Sequence, residues 1–265
     1  MTHKLLSAGA CIMKDSTSRF SDRVENYVKY RPSYPEAVLD CLKTHCGLTS
    51  ESLIADIGSG TGISSQLFLE HHNTVYGVEP NAEMRSAAER LLGAYQNFHS
   101  INGTAEETGL PTGKFDIVVA GQAFHWFDQS RARQEFQRIL KPGGWGALIW
   151  NERRTDTTPF LRAYEALLLE YATDYQDVNH TRITDDDFAH FFAPDSFSKF
   201  TFQNEQIFDL PALTGRVLSS SYCPNQGEAG YDEMLNQLKL IFEAHQTAGK
   251  VRFEYDTNVY LGQFA

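Results

Sequence analysis

Residues 53–69 read Leu53-Ile-Ala-Asp-Ile-Gly-Ser-Gly-Thr-Gly-Ile-Ser-Ser-Gln-Leu-Phe-Leu69. A short apolar run meets three alternating glycines, Gly58, Gly60 and Gly62, and passes directly into helical spacing. Strand, sharp turn and helix in that order are the opening unit of a parallel α/β sheet. Glycine suits such a turn because a side chain there would obstruct both the backbone bend and any ligand that approaches it. The helix that starts near Ile63 turns free N–H groups and the positive end of its dipole toward that turn.

The same alternation continues downstream. Residues 74–79 form a second apolar strand, followed by a helix over 81–92 that Asn81 caps. Residues 98–102 and 115–120 supply a third and a fourth strand, the latter almost wholly apolar, as a strand covered on both faces should be. A helix over 131–140 is stopped by Lys141-Pro-Gly-Gly144, and 147–150 is a fifth strand. Upstream, 18–45 has helical spacing interrupted at Arg31-Pro-Ser-Tyr-Pro35. Downstream, 160–172 and 231–248 read as helices, and Asp185-Asp-Asp187 caps a short aromatic helix. Residues 200–210 and 251–261 alternate as two late strands able to complete the sheet as an antiparallel edge pair. The expected fold is therefore α/β, a Rossmann-like, seven-stranded, mostly parallel sheet with helices on both faces, an N-terminal helical segment and an inserted cap region.

Composition narrows the function classes. The 265 residues carry 34 acidic and 23 basic side chains, a formal net charge of −11. That balance argues against non-specific nucleic-acid binding, which needs a basic surface to displace counterions from phosphates. No stretch approaches the roughly 20 apolar residues of a membrane span. Cys11, Cys41, Cys46 and Cys223 have neither C-x-x-C nor paired-His spacing, so neither a metal site nor a disulfide framework is expected. Residues 1–17 read as a disordered leader rather than a signal peptide. These features point to a cytoplasmic protein, monomer or homodimer, with no membrane or nucleic-acid partner.

Two carboxylates accompany the glycine turn. Glu79 ends the second strand, where an acidic side chain can accept both hydroxyls of a ribose. Asp56 lies inside the first strand, where a buried carboxylate needs a cationic or N–H partner; it either faces a ligand or braces the loop. Strand, glycine turn and acidic residue would also suit a dinucleotide oxidoreductase. Against that stand the charge of Asp56 in the strand and the Lys141-Pro-Gly-Gly144 turn, which has no part in nicotinamide binding.

Five motifs occur in order: Asp56-Ile-Gly-Ser-Gly-Thr-Gly62, Val78-Glu-Pro-Asn-Ala-Glu-Met84, Gly103-Thr-Ala-Glu-Glu-Thr-Gly-Leu-Pro111, Phe115-Asp116 and Leu140-Lys-Pro-Gly-Gly144. Together they resemble class I S-adenosylmethionine-dependent methyltransferases. The flanks resemble the trans-aconitate-type, small-molecule (methyltransferase domain 11-like) subgroup through Phe20-x2-Arg23-x3-Tyr27-x2-Tyr30-Arg-Pro-x-Tyr-Pro35, Gln122-Ala-Phe-His-Trp126 and Tyr255-x-Thr257-x-Val-Tyr260. The resemblance implies S-adenosylmethionine as cofactor and S-adenosylhomocysteine as product. It places Gly58, Ser59, Gly60 and Gly62 at the methionine part, Glu79 at the ribose, and Pro80 and Asn81 beside the adenine. Thr104, Ala105 and Glu106 would read the adenine edge, and Gln122 would border the methionine. Tyr27 and Arg31 would close over the cofactor's carboxylate, a group that a planar guanidinium suits. On this reading 18–49 closes over the cofactor, 50–151 is the cofactor-binding core, and 152–265 holds the substrate cap and the last strands.

Methyl transfer from a sulfonium is an in-line displacement, favoured by alignment and exclusion of water. An aromatic pocket suits it, because ring faces tolerate a cation. Phe124, Trp126, Phe127, Trp150, Tyr30 and Tyr34 are candidate walls, of which two or three are expected to line the site and the rest to be core. His125, just past the fourth strand, is the candidate general base toward a hydroxyl acceptor; a carboxylate acceptor would need none. Arg153 or Arg154 could receive an acidic substrate, and Tyr222 could face the acceptor. The expected activity is methyl transfer to a small molecule at oxygen, a carboxylate oxygen included. A cofactor-binding protein without turnover and an RNA or protein methyltransferase are the alternatives.

Overall fold

A computed structural model describes residues 24–173, 175, 183–194 and 196–264, with the side chain of Tyr27 outside the described set. Two short helices come first, α1 (Val24–Tyr30) and α2 (Ala37–Cys46), broken at the prolines of 31–35. Proline bars helical continuation by removing an N–H and restricting the residue before it. Then come β1 (Leu53–Ile57), α3 (Ile63–Leu69), β2 (Thr74–Val78), α4 (Ala82–Leu92), β3 (Phe98–Ile101) and β4 (Phe115–Gly121). A single 3₁₀ turn, Phe124–Trp126, leads into α5 (Gln129–Ile139) and β5 (Leu140–Arg153). The C-terminal part adds α6 (Pro159–Tyr171), α7 (Asp185–Phe192), β6 (Phe197–Phe208), α8 (Leu210–Leu218), α9 (Tyr231–His245) and β7 (Val251–Gln263).

The strands form one sheet in the order β3-β2-β1-β4-β5-β7-β6. The first five pair in parallel, while β7 inserts antiparallel between β5 and β6. The expected seven-stranded, mostly parallel α/β fold with its antiparallel late pair is thus the fold observed. Local chemistry fixes the helix starts: Asn81, Asp128, Thr158 and Asp209 each accept a backbone N–H from their own first turn, which satisfies donors a helix otherwise leaves open. For α7 the cap is Thr184 with Asp187 answering it reciprocally, one residue before the acidic triplet assigned that role from sequence. Lys141-Pro-Gly-Gly144 also differs from expectation. It belongs to β5, where the register jumps from Phe115 opposite Leu140 to Ile117 opposite Trp145. Proline and two glycines are tolerated there because the ladder is already irregular.

Side-chain alternation sorts the sheet into two buried layers. Ala55, Ile57, Leu148 and Trp150 face an aromatic cluster with Phe124, Phe136, Phe188 and Phe191. Ile54, Ile117, Ala147 and Ile149 face the other layer, covered by α2 and α3. A third core, with Tyr164, Leu168, Leu213, Met234, Leu238 and Phe253, joins α6, α8 and α9 to the far ends of β6 and β7. Burying each such side chain contributes about 1.5–3 kcal/mol. This third core makes the cap a packed unit rather than a loose loop, so groups it projects over the sheet are held in place. Among the described residues no helix is long and apolar enough to cross a membrane.

Candidate active site

A cavity of about 630 Å³ opens over the carboxyl ends of the parallel strands, floored by the glycine turn and roofed by the cap. Open α/β sheets place ligands at this edge. Gly58 has φ +70°, and a Cβ on it would stand 2.6 Å from that of Ala123, so backbone and steric demands agree there. The Glu79 carboxylate reaches across from β2. Its Oε2 accepts the Gly60 N–H at 2.9 Å and its Oε1 the Asn81 N–H at 2.8 Å. Burial pushes this carboxyl above its usual range, and the two N–H donors work against that rise. Glu79 therefore holds the turn in shape while it lines the cavity with Pro80 and Asn81.

Asp56 is fully buried and away from the cavity wall. It shares a face with Ile54, where Ser64 and Ser65 of α3 donate their hydroxyls to its Oδ2 at 2.7 and 2.6 Å. Desolvation pushes its carboxyl up to about 6, against the opposing pull of the two serines. Its bonds therefore tie β1 to the start of α3, and neither reaches the glycine turn itself. Gly62 also stands back from the wall: a Cβ on it would lie 2.5 Å from Leu92 Cδ1. Its position there serves close packing of α3 on α4.

The remaining cofactor-side candidates converge. Thr104, Ala105 and Glu106 line the cavity, and Glu106 Oε1 accepts the Asp128 N–H at 2.8 Å, tying this loop to the start of α5. Thr108 anchors the same loop by donating its N–H and hydroxyl to Glu135 Oε1. Gln122 adopts φ 56° at the end of β4, a left-handed conformation uncommon outside glycine. Its Nε2 donates to the Asn151 carbonyl at 3.0 Å. Asn151 in turn donates to the Ser33 carbonyl at 3.1 Å and accepts from Asn204 and Thr257. Those bonds fasten the 31–35 segment over the sheet and place Arg31 on the wall, where its Nη2 donates to the Ser219 carbonyl at 3.0 Å. Tyr27 lies in α1, but its side chain falls outside the described residues.

On the acceptor side, His125, Trp126, Arg153 and Tyr222 line the cavity. Phe124 and Trp150 do not, which corrects their assignment as pocket walls. Trp150 shares the Leu148 face of β5, opposite Asn151, and both rings are spent on the aromatic cluster. Phe124 stacks on Phe188 at 5.8 Å between centroids, and Trp150 meets Phe188 edge-on at 5.5 Å. Arg153 is engaged: it pairs with Glu165, donates to Tyr175 Oη at 3.1 Å and lies over the Tyr164 ring at 5.0 Å. Arg154 points elsewhere, to Asp256 at 2.7 Å.

Sequence reasoning missed Glu165, Tyr175 and Arg216, which line this end together with Tyr255, a residue noted there only as part of the C-terminal motif. Glu165 and Tyr175 carry no local motif. Arg216 did leave a trace, as a lone cation among the apolar residues of Leu213-Thr-Gly-Arg-Val-Leu218. Among the described residues no group of three His, Cys, Asp or Glu could hold a metal ion.

Residues 55–148 match the family described as methyltransferase domain. An uncharacterized methyltransferase of Mycobacterium tuberculosis is 35% identical over 143 residues, 54% of this chain and 56% of that protein. An uncharacterized methyltransferase-like protein of Schizosaccharomyces pombe is 30% identical over 156 residues, 58% of this chain and 59% of that protein. The chain thus spans little more than half the length of the curated relatives it matches. A solved phosphoethanolamine-type N-methyltransferase of Haemonchus contortus, bound to phosphomonomethylethanolamine and S-adenosylhomocysteine, superposes with TM-score 0.53 at 16% identity, covering 94% of this chain and 58% of that one. The YcgJ protein of Bacillus subtilis superposes with TM-score 0.55 at 18% identity, over 87% of this chain and 100% of that one. At such identities the two structures speak for the fold. Over residues 55–148, the parallel half of the sheet, the chain is thus similar to the methyltransferase domain family.

Proposed function

We propose, with that likeness as premise, that the protein transfers a methyl group from S-adenosylmethionine to a small-molecule acceptor, at oxygen, including carboxylate oxygen. The observation that carries the proposal is the continuity of the cavity. One end holds the glycine turn, Glu79 and the 104–106 loop, and the other a tyrosine- and arginine-lined chamber under the cap. Glu79 and Arg153 sit at the ends of β2 and β5, three strand spacings apart, or about 14 Å. That span fits a cofactor and an acceptor laid end to end.

The residues present suit the cofactor. Each Glu79 oxygen, already holding one N–H, keeps a lone pair for a ribose hydroxyl, and the open turn at Gly58 and Gly60 leaves room for the amino-acid part. Thr61, buried beside the turn, has a hydroxyl oxygen without a hydrogen-bond partner, a capacity a ligand could use. When bound, S-adenosylmethionine supplies an electrophilic methyl on a positively charged sulfur. Arg31 receives its carboxylate. Trp126 and Phe127 wall off water, and Tyr34 closes the N-terminal side, aligning acceptor and methyl by exclusion and fit. His125 takes the proton when the acceptor is a hydroxyl; an ionised carboxylate attacks without help. The free thiols of Cys41, Cys46 and Cys223 are consistent with a reducing, cytoplasmic setting.

Calorimetric titration with S-adenosylmethionine and S-adenosylhomocysteine tests the reading. Micromolar binding of both, followed by label transfer from methyl-labelled cofactor to carboxylic acids or phenols, is the expected result. A folded sample that binds neither would overturn it.

A further inference from the structure

Arg216 is 6% exposed and lines the cavity from α8. Its Nη1 donates to the Ser220 and Ser219 hydroxyl oxygens at 3.2 and 3.5 Å, and its Nε has no hydrogen-bond partner. No carboxylate among the described residues pairs with it. The two acidic groups at this end are committed elsewhere, Glu165 to Arg153 and Tyr175, and Glu152 to Asn258 Nδ2 at 2.9 Å. The groups nearest its charge are instead the phenols of Tyr255, Tyr164 and Tyr222, and despite burial the guanidinium stays above its ordinary range.

A guanidinium cannot shed its proton to escape burial, and a buried ion without a counter-charge costs several kcal/mol. The neighbouring Arg153 sharpens the contrast, since it is buried at the same end with a full ion pair. A fold that supplies one arginine with an acid and leaves the next with only hydroxyls and phenols has left one positive charge to be answered by a ligand. The cofactor's own carboxylate is already met by Arg31 on the reading above.

We infer that Arg216 receives a negatively charged group of the methyl acceptor, so that the acceptor is an organic anion and Arg216 sets its specificity. This rests on the methyltransferase reading and deepens it. Carboxylate and phosphate both offer paired oxygens to a guanidinium fork, and the inference covers either.

The test uses the full chain loaded with S-adenosylhomocysteine. Unfolding midpoints are recorded with citrate, succinate, benzoate and phenyl phosphate, and with the neutral counterparts succinamide and benzamide. At least one anion should raise the midpoint by about 3 °C or more at saturating concentration, and the neutral compounds should not. Arg216→Gln should weaken that anion at least about tenfold, on the scale of truncating one member of a buried charge pair, with S-adenosylhomocysteine affinity unchanged. Arg216→Lys, which keeps the charge without the fork, should fall between and serves if the glutamine variant does not fold. Which anions stabilise separates the carboxylate from the phosphate source. The inference is overturned if no anion stabilises the wild type, if the variants bind the anion equally well, or if they lose S-adenosylhomocysteine instead. Failure of the wild type to bind S-adenosylhomocysteine would sink the methyltransferase reading itself.

Discussion

Glu79 carries two duties with one carboxylate, and their separation is a matter of single hydrogen bonds. Its oxygens accept the Gly60 and Asn81 N–H groups, so removing them both relaxes the turn and deletes the acceptor offered to a ribose. Glu79→Ala should weaken S-adenosylhomocysteine binding by about 1.5–3 kcal/mol, the range for hydrogen bonds to a charged group; calorimetry that finds unchanged affinity would take Glu79 out of the site. At the other end His125 is the residue whose role depends on the acceptor. His125→Ala should slow transfer to a phenol by about 100-fold, as loss of a general base does, while transfer to a carboxylate proceeds at nearly the wild-type rate. Equal effects on both acceptors in steady-state assays would make His125 a wall rather than a base.

Among the elements, α1 packs against α8. The two helices meet at Gly215, where a Cβ would lie 1.9 Å from Tyr30 Cε2, and Gln206 donates to the Tyr30 carbonyl at 3.3 Å. One residue later Arg31 bonds the Ser219 carbonyl at the end of the same helix. Gly215→Ala must therefore displace the Tyr30 ring and with it the segment bearing Arg31. Overpacking of this kind costs about 1–3 kcal/mol, visible as a lower urea midpoint, and S-adenosylhomocysteine affinity should fall with it. A variant that loses stability but binds the cofactor product normally would show that Arg31 is not needed there. The parallel core through β5 was legible in the sequence because periodicity and glycine punctuation are local signals. The contacts that hold residues 31–35 and α8 against the chamber were not, because they are long-range, as Asn151 with Ser33 and Gly215 with Tyr30; Arg31, Arg153 and Tyr222 were nameable, but not their partners. The same limit explains Phe124 and Trp150: the strand alternation was readable, but the ring cluster that claims both side chains depends on α7 packing back from far along the chain.

For the whole molecule, two buried carboxylates give stability an opposite response to acid. The Asp56 carboxyl is pushed up to about 6 when folded, so between its unfolded value near 3.9 and 6 the native state binds more protons than the unfolded chain. Stability on this account rises as pH falls from 7 toward 4. Glu135 behaves the other way. Burial raises its carboxyl, but the Arg138 bonds, the Thr108 hydroxyl and the Thr108 N–H hold it down to about 2. Its contribution is complete above its unfolded value near 4.3 and is lost as pH falls from there toward 2. The two windows barely overlap, so the curve should climb from neutral pH and then turn over below about pH 4.5. Between pH 7 and pH 5 the Asp56 share amounts to about 1 kcal/mol. Asp56→Asn, which keeps an oxygen for one serine and removes this titration, should cut that rise to the part the raised Glu79 carboxyl supplies and leave the acid limb in place. Urea unfolding of both proteins at pH 7, 5 and 3.5 reads the difference directly. A wild type no more stable at pH 5 than at pH 7, or an asparagine variant that gains as much stability on acidification as the wild type, would mean that Asp56 keeps an ordinary carboxylate range under α3.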